Sequence, residues 1–217
     1  MERSIQKVSI VLLTYNRLEY VRQSVENNLA KAGYPIFEVI WVDNNSTDGT
    51  IGYMQGLGLD KEILNNENTG VARGYNAGYK IAKGDIIVKP GTDMVLPQDW
   101  LKKLVEGLET GRRAGVVGIV WNDTNIPERK LGEVEGNLIK AKVVGIQAIK
   151  KEVFEVAGYL PENHGLYGWD DVEWDINVRK YFYTYYLTDV MAEHLTYLDN
   201  TEYKEYSDFK DSGEQWI

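Results

Sequence analysis

Three short apolar runs, Val8–Leu13, Phe37–Val42 and Ile86–Val88, are each followed by a polar cluster, with helix-like segments between them. Runs that are apolar over their whole length fit strands covered on both faces, as in parallel sheets. Strands that alternate with helices predict a mostly parallel α/β sheet with helices on both sides. In such sheets ligands bind beyond the carboxyl ends of the strands. The polar clusters Thr14-Tyr15-Asn16, Asp43-Asn44-Asn45 and Thr92-Asp93 fall at those ends.

Between the strands, Leu18, Val21, Val25 and Leu29 recur at helical spacing. Asn16 stands as their N-cap with Glu19 three residues on, and Gly33 and Pro35 end the helix. Further helices are expected over 50–57 and 71–82, with an edge strand near 62–64. Pro97 opens another helix, with Leu101, Leu104, Val105 and Leu108 on one face. Val116–Val120 is again strand-like.

The last third reads differently. A polar loop is expected over 121–128, short strands around 130–150 and a short helix over 151–157. The stretch 165–174 precedes a helix expected to bury Val172 and Ile176, and the aromatic strand Tyr181–Val190 leads to His194. No repeat, low-complexity tract or linker divides the 217 residues, so one domain is expected over 1–198. Its first part, to about residue 95, carries the strand-end clusters. An acidic tail over 199–217 carries Tyr203, Tyr206 and Phe209, and either docks as a helix or serves as a lid or dimer contact.

Composition excludes several classes. A formal net charge of -9 opposes nucleic acid as the main partner and a general attraction to anionic lipid. No apolar run approaches the roughly 18 residues of a transmembrane helix, and Met1-Glu2-Arg3-Ser4 shows no signal-peptide pattern. The absence of cysteine removes disulfides and thiolate chemistry and fits a cytoplasmic setting.

The stretch Asn65–Gly78 carries Gly70, Gly74 and Gly78 at the opening of a helix. Glycines allow close backbone approach to a ligand, and helix N-terminal N–H groups suit phosphate. Asp93, just past a buried strand, suits a divalent cation bridging that phosphate to the protein. The same pattern also describes a turn and a tightly packed helix, and both readings stand.

These segments together resemble the inverting GT-A-fold glycosyltransferases of family 2, which move a sugar from a nucleotide diphosphate to an acceptor hydroxyl. The resemblance rests on Val8–Arg17, Val42–Thr50, Asn68-Thr69-Gly70 with Asn76-Ala77-Gly78, Ala82-Lys83-Gly84-Asp85, Thr92-Asp93, Trp169-Asp170-Asp171 and a late His194. It implies a single Rossmann-like α/β/α domain, with a nucleotide-sugar donor, a UDP- or dTDP-sugar, bound in the first part. The acceptor, whether glycan, lipid-linked sugar or protein side chain, would bind in the second.

Carried over by position, the resemblance gives Thr14, Tyr15 and Asn16 to the base pocket, with Arg17 beside them. Asp43 would accept a pyrimidine N–H or, alternatively, cap the next helix. Asn45 is a turn former that holds this loop. Asn68, Gly70, Arg73 and Asn76 would face ribose and diphosphate, though Arg73 also fits a surface cation. Where the family usually has Asp-x-Asp, this chain has Gly91-Thr92-Asp93, leaving Asp93 to bind Mn2+ or Mg2+. His194 would be a second metal ligand or a structural residue. Asp171 aligns with the general base, and a helix N-terminus attracts negative charge. Asp170 would orient the acceptor, and Tyr167, Trp169 and Trp174 would stack on a sugar, with core packing the other reading of Trp174.

Two rival classes stay open. A sugar-phosphate nucleotidyltransferase lacks support, because no glycine-rich basic loop follows the first strand. A non-catalytic nucleotide-sugar-binding module fits the missing first acid but leaves Asp93, Asp171 and His194 together without a purpose. A homo-oligomer is compatible with either.

Overall fold

A computed structural model describes residues 6–122, 134–142 and 145–195. The tail from Asp199 and most of the expected polar loop over 121–128 lie outside the described residues. The first half alternates as expected: β1 (Val8–Thr14), α1 (Leu18–Ala30), β2 (Phe37–Asp43), α2 (Thr50–Gly56), β3 (Lys61–Leu64), α3 (Val71–Ile81) and β4 (Ile86–Lys89). The second half adds β5 (Met94–Val95), α4 (Trp100–Thr110), β6 (Ala114–Trp121), β7 (Val134–Glu135) and β8 (Leu138–Lys140). It closes with β9 (Gln147–Lys150), α5 (Lys151–Ala157), α6 (Asp170–Val178) and β10 (Tyr183–His194).

The strands form one sheet in the order β3-β2-β1-β4-β9-β6-β10-β8-β7, with β5 paired to β10 off this path. Strands β3, β2, β1 and β4 are parallel neighbours, and so are β6 and β10. β9 is inserted antiparallel between β4 and β6, so both still point the same way. Side chains alternate across a strand, and the sheet sorts them into two cores. Val8, Ile10 and Leu12 join α1 and α4 on one face, while Val11 joins Tyr75, Tyr79, Phe154 and Trp174 on the other.

The glycines of α3 serve this packing. A Cβ on Gly74 would lie 2.5 Å from Leu13, and one on Gly78 would lie 2.4 Å from Val11. The helix therefore sits close on β1, the packing alternative for this stretch. The segment 82–85 is structural too. Lys83 N donates to Glu38 Oε1, Gly84 N donates to Ser9 Oγ, and Ser9 Oγ in turn donates to Glu38 Oε1.

Two helix expectations are corrected. Asn16 does not cap α1; the N-cap is Arg17 at φ 65°, and Leu18 N donates to Asp48 Oδ2 from the next loop. Asn16 instead accepts from Thr47 N at 2.8 Å, because its strained turn aims it across the loop. In α6 the buried residues are Asp170, Trp174, Asp175 and Val178, not Val172 and Ile176, and Ile176 is half exposed. The helix starts at Asp170, and the i, i+4 spacing from there carries Trp174 and Val178 inward.

Candidate active site

The loops after β1 and β2 are laced together by short polar contacts. Asp43 Oδ2 accepts from Thr14 Oγ1 and Ser46 Oγ, each at 2.6 Å, and Oδ1 accepts from Ser46 N at 2.7 Å. Trp41 Nε1 donates to Thr14 Oγ1 at 2.8 Å. Asp43 is fully buried and Thr14 nearly so. Both therefore anchor the loop from inside. Burial of a carboxylate is tolerated here because several donors satisfy it. Asn45 adopts φ 67°, the left-handed turn conformation expected of it, and is exposed. Tyr15 and Arg17 stand exposed at the rim.

Asn44, which the sequence did not single out, joins this loop to the next. Its Nδ2 donates to Gly70 O at 3.0 Å and Asn68 Oδ1 at 3.2 Å. Its Oδ1 accepts from Asn65 Nδ2 at 2.9 Å and Thr69 Oγ1 at 3.0 Å. Asn68 Oδ1 also accepts from Gly70 N, so its carbonyl oxygen is committed to the turn.

The opening of α3 faces protein as well as solvent. Val71 N donates to Leu166 O, and Gly70 packs on the backbone of Gly165 and Leu166. Asn76 is buried and clamps the 160–162 segment: it donates to Leu160 O and Glu162 Oε1 and accepts from Leu160 N. Asn76 is thus an interior clamp between α3 and this segment. Arg73 is exposed, with Nε 3.7 Å from Glu162 Oε2.

Asp93 and His194 meet. β10 runs past β6 to pair antiparallel with β5, setting His194 opposite Met94, and Leu195 N donates to Asp93 O. His194 Nε2 lies 3.8 Å from Asp93 Oδ2. Two ligands each about 2.1 Å from a shared ion lie roughly 3 to 4 Å apart, so this pair has the spacing for one cation. Among the described residues no third Asp, Glu, His or Cys joins them. A carboxylate and an imidazole suit Mn2+ or Mg2+ when phosphate oxygens complete the shell. Thr92 is a clip instead: its Oγ1 donates to Leu13 O, and its carbonyl accepts from Ser24 Oγ.

The second acidic group stands at the start of α6. Trp169, at φ 62°, caps that helix and is 72% exposed, and Tyr167 is also exposed. Trp174 is 1% exposed, stacks on Phe154 and donates Nε1–H to Gly158 O at 2.7 Å. It belongs to the core, which removes it from the expected acceptor contacts. Asp171 is part-exposed, whereas Asp170 is buried. Burial pushes the Asp170 carboxyl up, Lys89 opposes that shift, and Asp171 adds to it. Tyr75 is buried on α3, with Lys89 Nζ 5.0 Å from its ring centroid. Burial raises its phenol, and the charges of Asp93 and Asp170 raise it further. Lys89 and Tyr75 were missed in the sequence, because a lysine and a tyrosine inside apolar segments carry no motif.

With this arrangement in view, the profile described as "Glycosyl transferase family 2" matches residues 9–154. The chain belongs to glycosyl transferase family 2. Within the family it is 30% identical over 118 residues to the uncharacterized glycosyltransferase YfnE of Bacillus subtilis strain 168, covering 53% of this chain and 30% of that protein. It is 32% identical over 124 residues to the undecaprenyl-phosphate 4-deoxy-4-formamido-L-arabinose transferase of Pectobacterium atrosepticum, covering 54% of this chain and 37% of the relative. The chain thus spans about a third of the length of these curated relatives. Among solved structures it is similar to the mannosyltransferase PcManGT of Pyrobaculum calidifontis, in complex with GDP-Man and Mn2+. The TM-score is 0.72 at 21% identity, over 88% of this chain and 57% of the other. The family 2 fold expected from the sequence, GT-A, is the one observed. Among the described residues no helix is long and apolar enough to cross a membrane.

Proposed function

We propose that this family 2 domain transfers a sugar from a nucleoside-diphosphate sugar to an acceptor hydroxyl, with inversion at the anomeric carbon. The observation that carries this reading is the meeting of Asp93 and His194 at the β5–β10 pairing, together with the Asp170-Asp171 pair that opens α6. A donor diphosphate fits the first pair and an acceptor hydroxyl fits the second. Asp93 and His194 would hold Mn2+ or Mg2+, and such an ion neutralises charge on a departing diphosphate. PcManGT, whose structure contains GDP-Man and Mn2+, gives this assignment a precedent on a similar fold.

Asp171 is the part-exposed carboxylate at the α6 N-terminus, and we assign it the base role. It takes the acceptor's hydroxyl proton as the new oxygen–carbon bond forms and the carbon–oxygen bond to the diphosphate breaks. Asp170, buried beside it, takes a hydrogen bond from a substrate hydroxyl. Tyr167 and Trp169 offer exposed ring faces to the acceptor. Among the described residues no carboxylate stands as an evident nucleophile on the donor side, and one displacement with one base inverts configuration. With Asp43 turned inward, the donors to be tried include uridine, thymidine and guanosine diphosphate sugars.

The test is a panel of these donors with glycan, lipid-linked and peptide acceptors, with Mn2+ or chelator, scored by nucleotide release and proton NMR of the product. Metal-dependent release and a β-linkage from an α-linked donor are expected. Retention of configuration would overturn the mechanism. Nucleotide binding without release or transfer across the panel would favour a non-catalytic module.

A further inference from the structure

The alternation along β4 sends Ile86 and Val88 to the α1/α4 core and Ile87 to the α3/α6 core. Lys89 shares the parity of Ile87, so the last residue of a wholly buried strand carries an ammonium towards α3 and α6. Lys89 is 6% exposed, and its Nζ lies 5.0 Å from the centroid of the Tyr75 ring. Asp170, at the start of α6, is 5% exposed, has an Oδ2 with no hydrogen-bond partner, and feels the charge of Lys89. Among the described residues no hydrogen bond is made to Lys89 Nζ, and no ion pair within 4.0 Å joins it to Asp170.

Two opposite charges buried near one another but not joined are poorly compensated. The group that satisfies both must donate to the carboxylate and accept from the ammonium. A phosphate would be repelled by Asp170, and a metal ion by Lys89. A carbohydrate hydroxyl does both tasks with one oxygen. The position favours the donor side: Lys89 ends the strand that leads, four residues on, to Asp93, and Tyr75 beside it feels the charge of both Asp93 and Asp170. A sugar joined to a diphosphate held at Asp93 comes next along that line.

We propose that Lys89 and Asp170 together hold one hydroxyl of the transferred sugar, making Lys89 a specificity-determining residue. This rests on the donor reading given above.

The test uses the full chain with Mn2+ and calorimetric titration of UDP, UDP-glucose, UDP-galactose, UDP-N-acetylglucosamine, GDP and GDP-mannose. The quantity read is the ratio of Kd for the bare nucleotide to Kd for its sugar. For the preferred sugar, Lys89→Met should lower that ratio about 10- to 100-fold, as expected for a lost hydrogen bond to a charged group. Affinity for the bare nucleotide should stay within about twofold. Asp170→Asn should act in the same direction, and the double variant should lose less than the sum of the two, because both act on one hydroxyl. Lys89→Leu, which also removes the donor, serves in place of the Met variant should that one fail to fold. A ratio unchanged by the Lys89 variant, an equal loss for bare nucleotide, or a wild-type ratio of one for every sugar would overturn the proposal while leaving the donor site standing. Absence of any nucleotide binding by the wild type would overturn both.

Discussion

A methyl group on Gly70 would lie 2.8 Å from the Leu166 α-carbon, and the neighbouring Val71 N–H already donates to Leu166 O at 2.8 Å. The turn that opens α3 is therefore fastened to the loop that leads into Tyr167, Trp169 and the acidic pair. Gly70 also has φ 84° and ψ 175°, a conformation essentially reserved for glycine. Gly70→Ala is expected to cost about 2 to 4 kcal/mol from strain and overpacking together. Thermal unfolding should show a fall of roughly 5 to 15 °C for a chain of this size. A melting temperature within a degree of wild type would show that the two loops part easily.

A nucleoside diphosphate with Mn2+ should raise the melting temperature far more than the same nucleotide with chelator. Binding linkage gives about 2.7 kcal/mol at a hundredfold excess over Kd. Asp93→Asn and His194→Ala should each remove most of the metal-dependent part while leaving the ligand-free melting temperature nearly unchanged. Equal shifts with metal and with chelator would return His194 to a purely structural place beside Trp121.

Asp171→Asn should reduce transfer roughly 100- to 10,000-fold, the usual contribution of a general base, with donor affinity retained. Asp170→Asn should act mainly on sugar binding and cost less in turnover. Steady-state rates and donor titrations on the two variants distinguish the roles. A greater loss of turnover in the Asp170 variant would exchange them.

Glu38 supplies a prediction independent of function. Burial would raise its carboxyl, but hydrogen bonds from Ser9, Lys61 and Lys83 outweigh that and bring it from 4.5 to about 2. A depressed carboxyl adds stability that is fully present above the unfolded value and lost as pH falls through the folded one. The difference corresponds to about 3 kcal/mol. Glu38→Gln should therefore lower stability at neutral pH and flatten its decline between about pH 4.5 and 2, as read by denaturant unfolding at several pH values.

The first-half elements were legible because each core strand is apolar throughout and each helix carries one apolar stripe. The start of α6 was not, since Val172 and Ile176 read as its buried side until the left-handed Trp169 fixes the first turn at Asp170. Asp93 and His194 could be named from the sequence, but their meeting depends on a strand pairing that no local pattern encodes. The inward hydrogen bonds of Asp43, Thr14 and Asn76 were hidden from the sequence for a common reason. A polar side chain at a strand end reads the same whether it faces a ligand or is satisfied by a neighbouring loop. Lys89 was passed over because its meaning lies in the parity of β4 and in the arrival of Asp170 from far along the chain.

Between Tyr186 and Met191, β10 advances five residues while β6 advances two, from Gly118 to Val120. The irregularity acts as a phase setting for everything after it. Deleting one residue from 187–190 would exchange the odd and even positions of the strand's end, bringing Leu195 to the place of His194 and turning His194 away from Asp93. The pairing of acid with imidazole thus depends on a length, and natural variation here is better sought in insertions and deletions than in substitutions at His194 itself.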